Sequence, residues 1–457
     1  MAAKINLAKP YAAYERPGQP HEDPELTHVE KGSPAGEYLR RFWQPVALSS
    51  EVGELPLAVR IFGEDLVLFR TRGGEVGLLE KHCAHRGTSL EFGIPEERGL
   101  RCCYHGWLFA TDGRIVETPG DPPASTLRHR VFQGAYPVHE YKGIVFGYFG
   151  PVDAKPEFPI FDSYEFEGDR LVPYYITYPC NWLQVHENVM DPAHAVFLHT
   201  RISFAHFAPA WGQLPEMEFL PTPAGMIYVT SRRWDDKVWV RSNDILLPNL
   251  AQVGHIWEDG SEVKNFARVG ITRWTVPVDN RTCRIIGWRH FNREADPRGI
   301  ADESLCGPES VDFVGQSGER SYEERQRVPG DFDAQVSQRP IAVHALENLT
   351  SCDRGVSMLR QLLRTQIRRV ADGLPPETFA AAGNGAVPTY CHDTVVEVPR
   401  AAASEEEDRA DVRAIGRAIA DIVVKGPHQS LPDRAARIRA AIDEYAASRQ
   451  SQESSHS

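Results

Sequence analysis

Cys83-Ala84-His85-Arg86-Gly87 and Cys102-Cys103-Tyr104-His105-Gly106-Trp107, with only positions 86–101 between His85 and Cys102, decide how this 457-residue chain is read. The first stretch is a Cys-x-His pair and the second a Cys-x-x-His pair. Two thiolates and two imidazoles suit either zinc or an iron–sulfur cluster. Common zinc modules pair Cys with Cys and His with His, whereas both pairs here are mixed. In an iron–sulfur centre, neutral imidazoles in place of charged thiolates raise the reduction potential, so the centre accepts single electrons readily. Cys103 is an ambiguity, and the Cys-x-x-His spacing selects Cys102.

A second constellation occupies positions 181–199. It contains Asn188, Asp191, His194 and His199. Two imidazoles and one carboxylate on a metal leave positions open for O₂ and water. Asn188, Asp191 and His194 are three apart and would share one face of a helix. His199 lies five beyond His194, roughly 140° round an ideal helix. A straight helix cannot aim both imidazoles at one metal, so the helix is expected to end or distort between them. Pro192 fits that only loosely, because it precedes both.

Together the two stretches resemble the α subunits of Rieske non-heme iron ring-hydroxylating oxygenases, in the phthalate-type branch that lacks a β subunit. Aryl O-demethylase oxygenase components are similar at 39–49 and around the Cys/His pairs. The resemblance runs from about residue 39 to about residue 370. It implies a Rieske [2Fe–2S] cluster on Cys83, His85, Cys102 and His105. It implies a mononuclear Fe(II) on His194, His199 and a distant carboxylate. In the family that carboxylate lies nine positions before the Pro of a Gly-Pro-Ile, which lands on Asp331, with Arg339 in place of the Gly. Asp333 is a close rival, and Asp353 lies in a family segment that follows the ligand. Asn188 and Asp191 match catalytic positions. Asp191 would bridge a Rieske His of a neighbouring subunit and His194 of its own.

The same resemblance implies a fold class of α+β, an all-β Rieske domain followed by antiparallel sheet with helices (helix-grip, Bet v 1-like). It implies a terminal oxygenase that uses O₂ to hydroxylate, O-demethylate or dihydroxylate an aromatic compound, an aryl carboxylate or aryl ether. Electrons would come from an NAD(P)H-dependent reductase or ferredoxin, and the assembly would be a homotrimer. The rival reading is a Rieske electron-transfer protein without oxygenase activity. It needs only the first third of the chain.

Composition suits a cytoplasmic enzyme. The hydrophobic fraction is 42% and the net charge −13, which gives no reason to expect nucleic acid or an anionic membrane as partner. No apolar run reaches membrane-spanning length. Eight Cys are too dilute for a disulfide scaffold. Composition shifts divide the chain into a lead-in packing on the catalytic domain (1–45), a strand-rich cluster domain (46–154), a mixed catalytic domain (155–400), C-terminal helices (401–447) and a Ser-rich tail expected to be disordered (448–457). Within these, Gly63-Glu64-Asp65, Asp112-Gly113 and Pro277-Val278-Asp279-Asn280 are expected turns. Val412, Ile415, Ile419 and Ile422 recur at helical spacing, as do Ala435, Ile438, Ile442 and Tyr445, as expected for helices packing on their own subunit.

Overall fold

A computed structural model describes residues 7, 9–16, 18, 20–202, 207–293, 296, 298–310, 317–377, 379, 385–400, 404–426 and 433–454. Its first half is built from three small antiparallel sheets. Strand Trp43–Leu48 pairs with Ile144–Tyr148, which pairs with Val138–Tyr141. The expected boundary at 45/46 therefore falls inside a strand that is buried along its whole length. The second sheet runs Leu57–Ile61, Glu64–Arg70, Val76–Glu80, Ala135–Tyr136; the third runs Ile94–Glu96, Gly99–Arg101, Leu108–Phe109, Ile115–Glu117.

Two turns differ from expectation. The first hairpin turns at Phe62-Gly63, with φ of 53° and 79°, the left-handed pair of a tight two-residue turn. Phe62 pays the cost of a positive φ because its N–H and that of Gly63 donate to Pro277 and Val278, at 3.0 and 2.8 Å. The expected turn at Pro277-Val278-Asp279-Asn280 is instead the end of strand Ile271–Asp279, bulged between Pro277 and Asp279. The docked hairpin tip keeps that segment extended. The turn at Asp112-Gly113 is as read, with Gly113 at φ 84°.

The second half is a nine-stranded antiparallel sheet. Its path is Arg170–Tyr178, Thr282–Phe291, Ile271–Asp279, Leu250–Val253, Lys237–Leu246, Gly225–Trp234, Glu216–Thr222; His392–Glu397 also pairs with Lys237–Leu246, and Lys264–Ala267 with His392–Glu397. Alternation along the strands gives the sheet two apolar faces. Met226 and Tyr228 face a core shared with Leu359, Leu363 and Ile367 of helix Arg354–Ala371. Ile227 and Val229 face the other way, onto Val412, Ile415 and Ile419 of helix Glu405–Lys425 and Ile438 and Ile442 of helix Asp433–Ser454. The whole is α+β.

The Ser-rich tail is corrected by that last helix, which continues to Ser454. Its far end is tied down: Arg449 pairs with Asp411, and the Gln450 amide donates to the Glu397 carbonyl at 3.1 Å. Residues 455–457 lie outside the described residues. Among the described residues, no helix is long and apolar enough to cross a membrane.

Candidate functional site

Two loops carry the Cys/His pairs, one following strand Val76–Glu80 and one joining Gly99–Arg101 to Leu108–Phe109. They share one backbone design. The Cys83 carbonyl accepts from Gly87 N–H at 2.8 Å, and the Cys102 carbonyl from Gly106 N–H at 3.1 Å. Cys83 N–H donates to Thr88 and Cys102 N–H to Trp107. Gly87 and Gly106 adopt φ of 76° and 75°, where a side chain would be strained. Each loop thereby presents its Cys inward and its His alongside. Cys83 and Cys102 are buried with their thiols against each other, while Cys103 is exposed. The His85 and His105 rings lie 4.6 Å apart, and Trp107 stacks on His85.

The donor set fits an iron–sulfur cluster. Burial, reinforced by the neighbouring Cys102 thiol, pushes the Cys83 thiol up to about 11. A thiolate pair there needs a bound cation. His85 Nδ1 is buried with no hydrogen-bond partner among the described residues, as a free ligand atom would be.

The second constellation is not one helix. It breaks into helix Trp182–Glu187, a 3₁₀ turn Asn188–Met190, helix Pro192–Val196 and a π-helical turn Phe197–Ile202. Asn188 and His194 do converge, but across these breaks rather than along one face. The distortion expected between the two His is the π turn. A π turn closes over five residues, which brings His199 round toward His194. Pro192 opens the short helix after its N-cap Asp191, the position where a missing N–H costs nothing.

Asp331 completes the cluster. His194, His199 and Asp331 each offer one ligand atom, and these lie within 4.8 Å of one another. Asp331 Oδ1 is 3.5 Å from His194 Nε2, and Oδ2 is 3.2 Å from His199 Nε2. The Asn188 amide donates to Asp331 Oδ1 at 3.2 Å. Burial works to raise the Asp331 pKa, but His199 and His194 outweigh it and hold the carboxyl well below the usual range. His194 Nδ1 donates to the Asp191 main-chain carbonyl. This fixes the tautomer that leaves Nε2 free for a metal. The Asp191 carboxylate caps Ala193 N–H at 3.2 Å and stands 3.9 Å from His194 Nδ1.

The rival carboxylates are occupied elsewhere. Asp333 caps Gly330 N–H at 3.1 Å and pairs with Arg320 and Arg325 at 2.5 and 2.6 Å. Asp353 caps Thr350 N–H at 2.7 Å.

The residues that bring Asp331 to the His pair were missed from sequence. Gln184 donates to the Gln335 and Arg339 carbonyls, at 2.8 and 2.9 Å, and accepts from Ala342 N–H at 2.9 Å. Asn181 caps its own helix through Leu183 N–H and takes hold of Thr27 and Asn280. One signal was available. Arg339, standing where the family carries Gly, has φ 89°, a conformation suited to Gly.

The His194, His199 and Asp331 group opens on an inner cavity of about 80 Å³. Arg232 and Arg241 both line it and are both buried. Arg241 is matched by Asp393. Arg232 lies against the Trp211 and Trp239 rings and donates to Gln213 and Thr230. It has no carboxylate partner among the described residues. A larger cavity of about 320 Å³ shares the wall formed by Phe207, Ile256 and Ile271.

Residues 42–137 match the family model described as "Rieske [2Fe-2S] domain". The chain is 42% identical over 440 residues to the tert-butanol monooxygenase / tert-amyl alcohol desaturase oxygenase subunit of Aquincola tertiaricarbonis, covering 93% of each. It is 39% identical over 373 residues to the phenoxybenzoate dioxygenase subunit alpha of Ectopseudomonas oleovorans, covering 78% of this chain and 87% of that one. Dicamba monooxygenase bound to dicamba has a similar fold: TM-score 0.57, 20% identity, 73% of this chain and 99% of that one.

Proposed function

The chain belongs to the α-subunit family of Rieske oxygenases, and from that premise we propose which residues do the work and on what. Cys83, His85, Cys102 and His105 would hold the [2Fe–2S] cluster, and His194, His199 and Asp331 the mononuclear iron. When bound, these groups supply one-electron transfer and O₂ activation. The chain's residues supply position and environment. Asp191 holds the His194 proton on Nδ1. Asn188 steadies the Asp331 carboxylate. Phe207 stacks on His199 at 4.4 Å and covers it from water. The observation that carries this reading is the convergence of two His and one Asp on one point beside a cavity. An electron carrier alone would leave that convergence without a role.

Electrons would arrive from a separate NAD(P)H-dependent reductase or ferredoxin. A homotrimer in the cytoplasm is the proposed assembly, with Asp191 at the boundary between one subunit's iron and the next subunit's cluster. Phe92, Ile94 and Tyr104, exposed on and near the cluster loops, support docking there. A heterologous contact of that kind closes into a ring.

The substrate reading is an aryl carboxylate or aryl ether. A buried guanidinium without a counter-ion is costly unless an anion completes it, and Arg232 is such a group. Oxygenase subunits named for phenoxybenzoate and dehydrodivanillate are among the relatives. A second reading, a small tertiary alcohol, is favoured by the 42% identical relative and by the small inner cavity. The test is turnover with reductase, NADH and O₂ on benzoates, methoxybenzoates and tert-butanol, with products identified by mass. Oxygenated product from the aromatic acids supports the first reading, and product from tert-butanol alone supports the second.

A further inference from the structure

The inner cavity of about 80 Å³ is smaller than the ~150 Å³ void that takes up benzene. An aromatic substrate placed at the iron must therefore extend beyond it. The neighbouring space across the Phe207, Ile256 and Ile271 wall is about 320 Å³, a size ordinary for ligand sites.

Two residues lining that outer cavity carry unmatched polar atoms. His255 is 4% exposed, and both its ring nitrogens lack a hydrogen-bond partner among the described residues. The Trp257 indole N–H is likewise buried and, among the described residues, unpartnered. The two rings are neighbours, 5.1 Å between centroids. Buried polar groups are nearly always satisfied, so each exception points to a missing partner. Gly270 makes the placement possible: a Cβ there would come within 2.9 Å of His255 Nδ1. The charged groups of the wall are engaged already. Arg298 pairs with Asp259 at 3.0 Å, Asp302 accepts from Ser304, and Arg289 donates to Ser310. The imidazole and the indole N–H themselves are uncharged. An imidazole both donates and accepts, and an indole only donates. A hydroxyl satisfies both.

We infer that the outer cavity is the distal part of the substrate site, where His255 and the Trp257 N–H bind a hydroxyl on a second ring. This rests on the aromatic reading above and extends it to a two-ring compound. The hydroxyl accepts from Trp257 Nε1 and donates to His255. Phe207, which both lines this wall and covers His199, separates the distal ring from the metal ligands.

The test uses the holoenzyme and calorimetric binding of meta-phenoxybenzoate and meta-(para-hydroxyphenoxy)benzoate. The hydroxylated compound should bind about tenfold more tightly, the worth of two neutral hydrogen bonds. Trp257→Phe and His255→Leu should each shrink that preference, read as the ratio of the two affinities within each variant, several-fold. Equal affinity of the wild type for the two compounds would overturn the inference, as would a preference that survives in both variants. Product analysis is read separately. If the preference behaves as stated and neither compound is oxygenated, the distal site stands and the reaction assigned to it does not.

Discussion

The side-chain amide of Gln184 donates to the main-chain carbonyl of Gln335 at 2.8 Å, joining the helix that leads to the two His to the helix that begins with Asp331. Two further bonds from Gln184, to Arg339 and Ala342, close the clamp. Asp331, the proposed third metal ligand, is thus held by a residue outside the His194, His199 and Asp331 group.

Replacing Gln184 by Leu keeps the volume and removes all three bonds. Ala342 N–H and the partly buried Arg339 carbonyl lose their bond to Gln184, while the Gln335 carbonyl keeps only Gln338 N–H, a loss of about 2 kcal/mol in stability. Mononuclear iron affinity should fall by roughly 10–100-fold, the range for lost supports of metal ligands. The cluster spectrum should be unchanged. Iron titration of the iron-stripped variant beside its visible spectrum checks both.

Arg339→Gly should do the opposite. The Arg backbone sits at φ 89°, which costs a side-chain-bearing residue about 1–2 kcal/mol. Gly removes that strain but loses more entropy on folding. The net expected gain is about 0.5–1 kcal/mol, read as a shift of the denaturant midpoint. The carbonyl bond to Gln184 is preserved.

Cys102→Ser should abolish the visible Rieske absorption, and Cys103→Ser should keep it. Cys102 is buried against Cys83, and Cys103 faces solvent. A colourless Cys103 variant beside a coloured Cys102 variant would reverse the ligand assignment.

Asp191 is tested by two substitutions. Asp191→Ala loses both the carboxylate and the cap on Ala193, so it should lose about 1 kcal/mol of stability and turn over slowly. Asp191→Asn can still cap the helix and should fold as the wild type does. Because it removes the charge proposed to serve transfer, Asp191→Asn should still slow single-turnover product formation by roughly tenfold or more. Full-rate product formation in Asp191→Asn would make Asp191 a cap alone.

The sequence was legible where chemistry and local spacing coincide. Cys102 against Cys103 followed from a three-residue interval that a tight loop enforces. The need for a distortion between His194 and His199 followed from helix geometry. Its form, a π turn, did not, because nothing in Phe197-Leu198-His199-Thr200-Arg201 announces one. Asp331 was proposed through a family offset from Pro340; the structure places it beside His194 and His199 and places Asp333 against Arg320 and Arg325. Gln184 stayed hidden because its partners are main-chain atoms far along the chain, and main-chain atoms leave no mark in a sequence. The turn expected at Pro277 failed for a similar reason: the Phe62-Gly63 hairpin that holds it extended belongs to another sheet.

The most direct measurement is metal analysis of Asp331→Ala and Asp333→Ala, each taken with the visible spectrum and product formation. Asp331→Ala should lose the mononuclear iron and all product while keeping the Rieske spectrum. Asp333→Ala should keep both metals and show only reduced thermal stability, from the lost ion pairs with Arg320 and Arg325. Mononuclear iron retained in Asp331→Ala, or lost only in Asp333→Ala, would contradict the site described here.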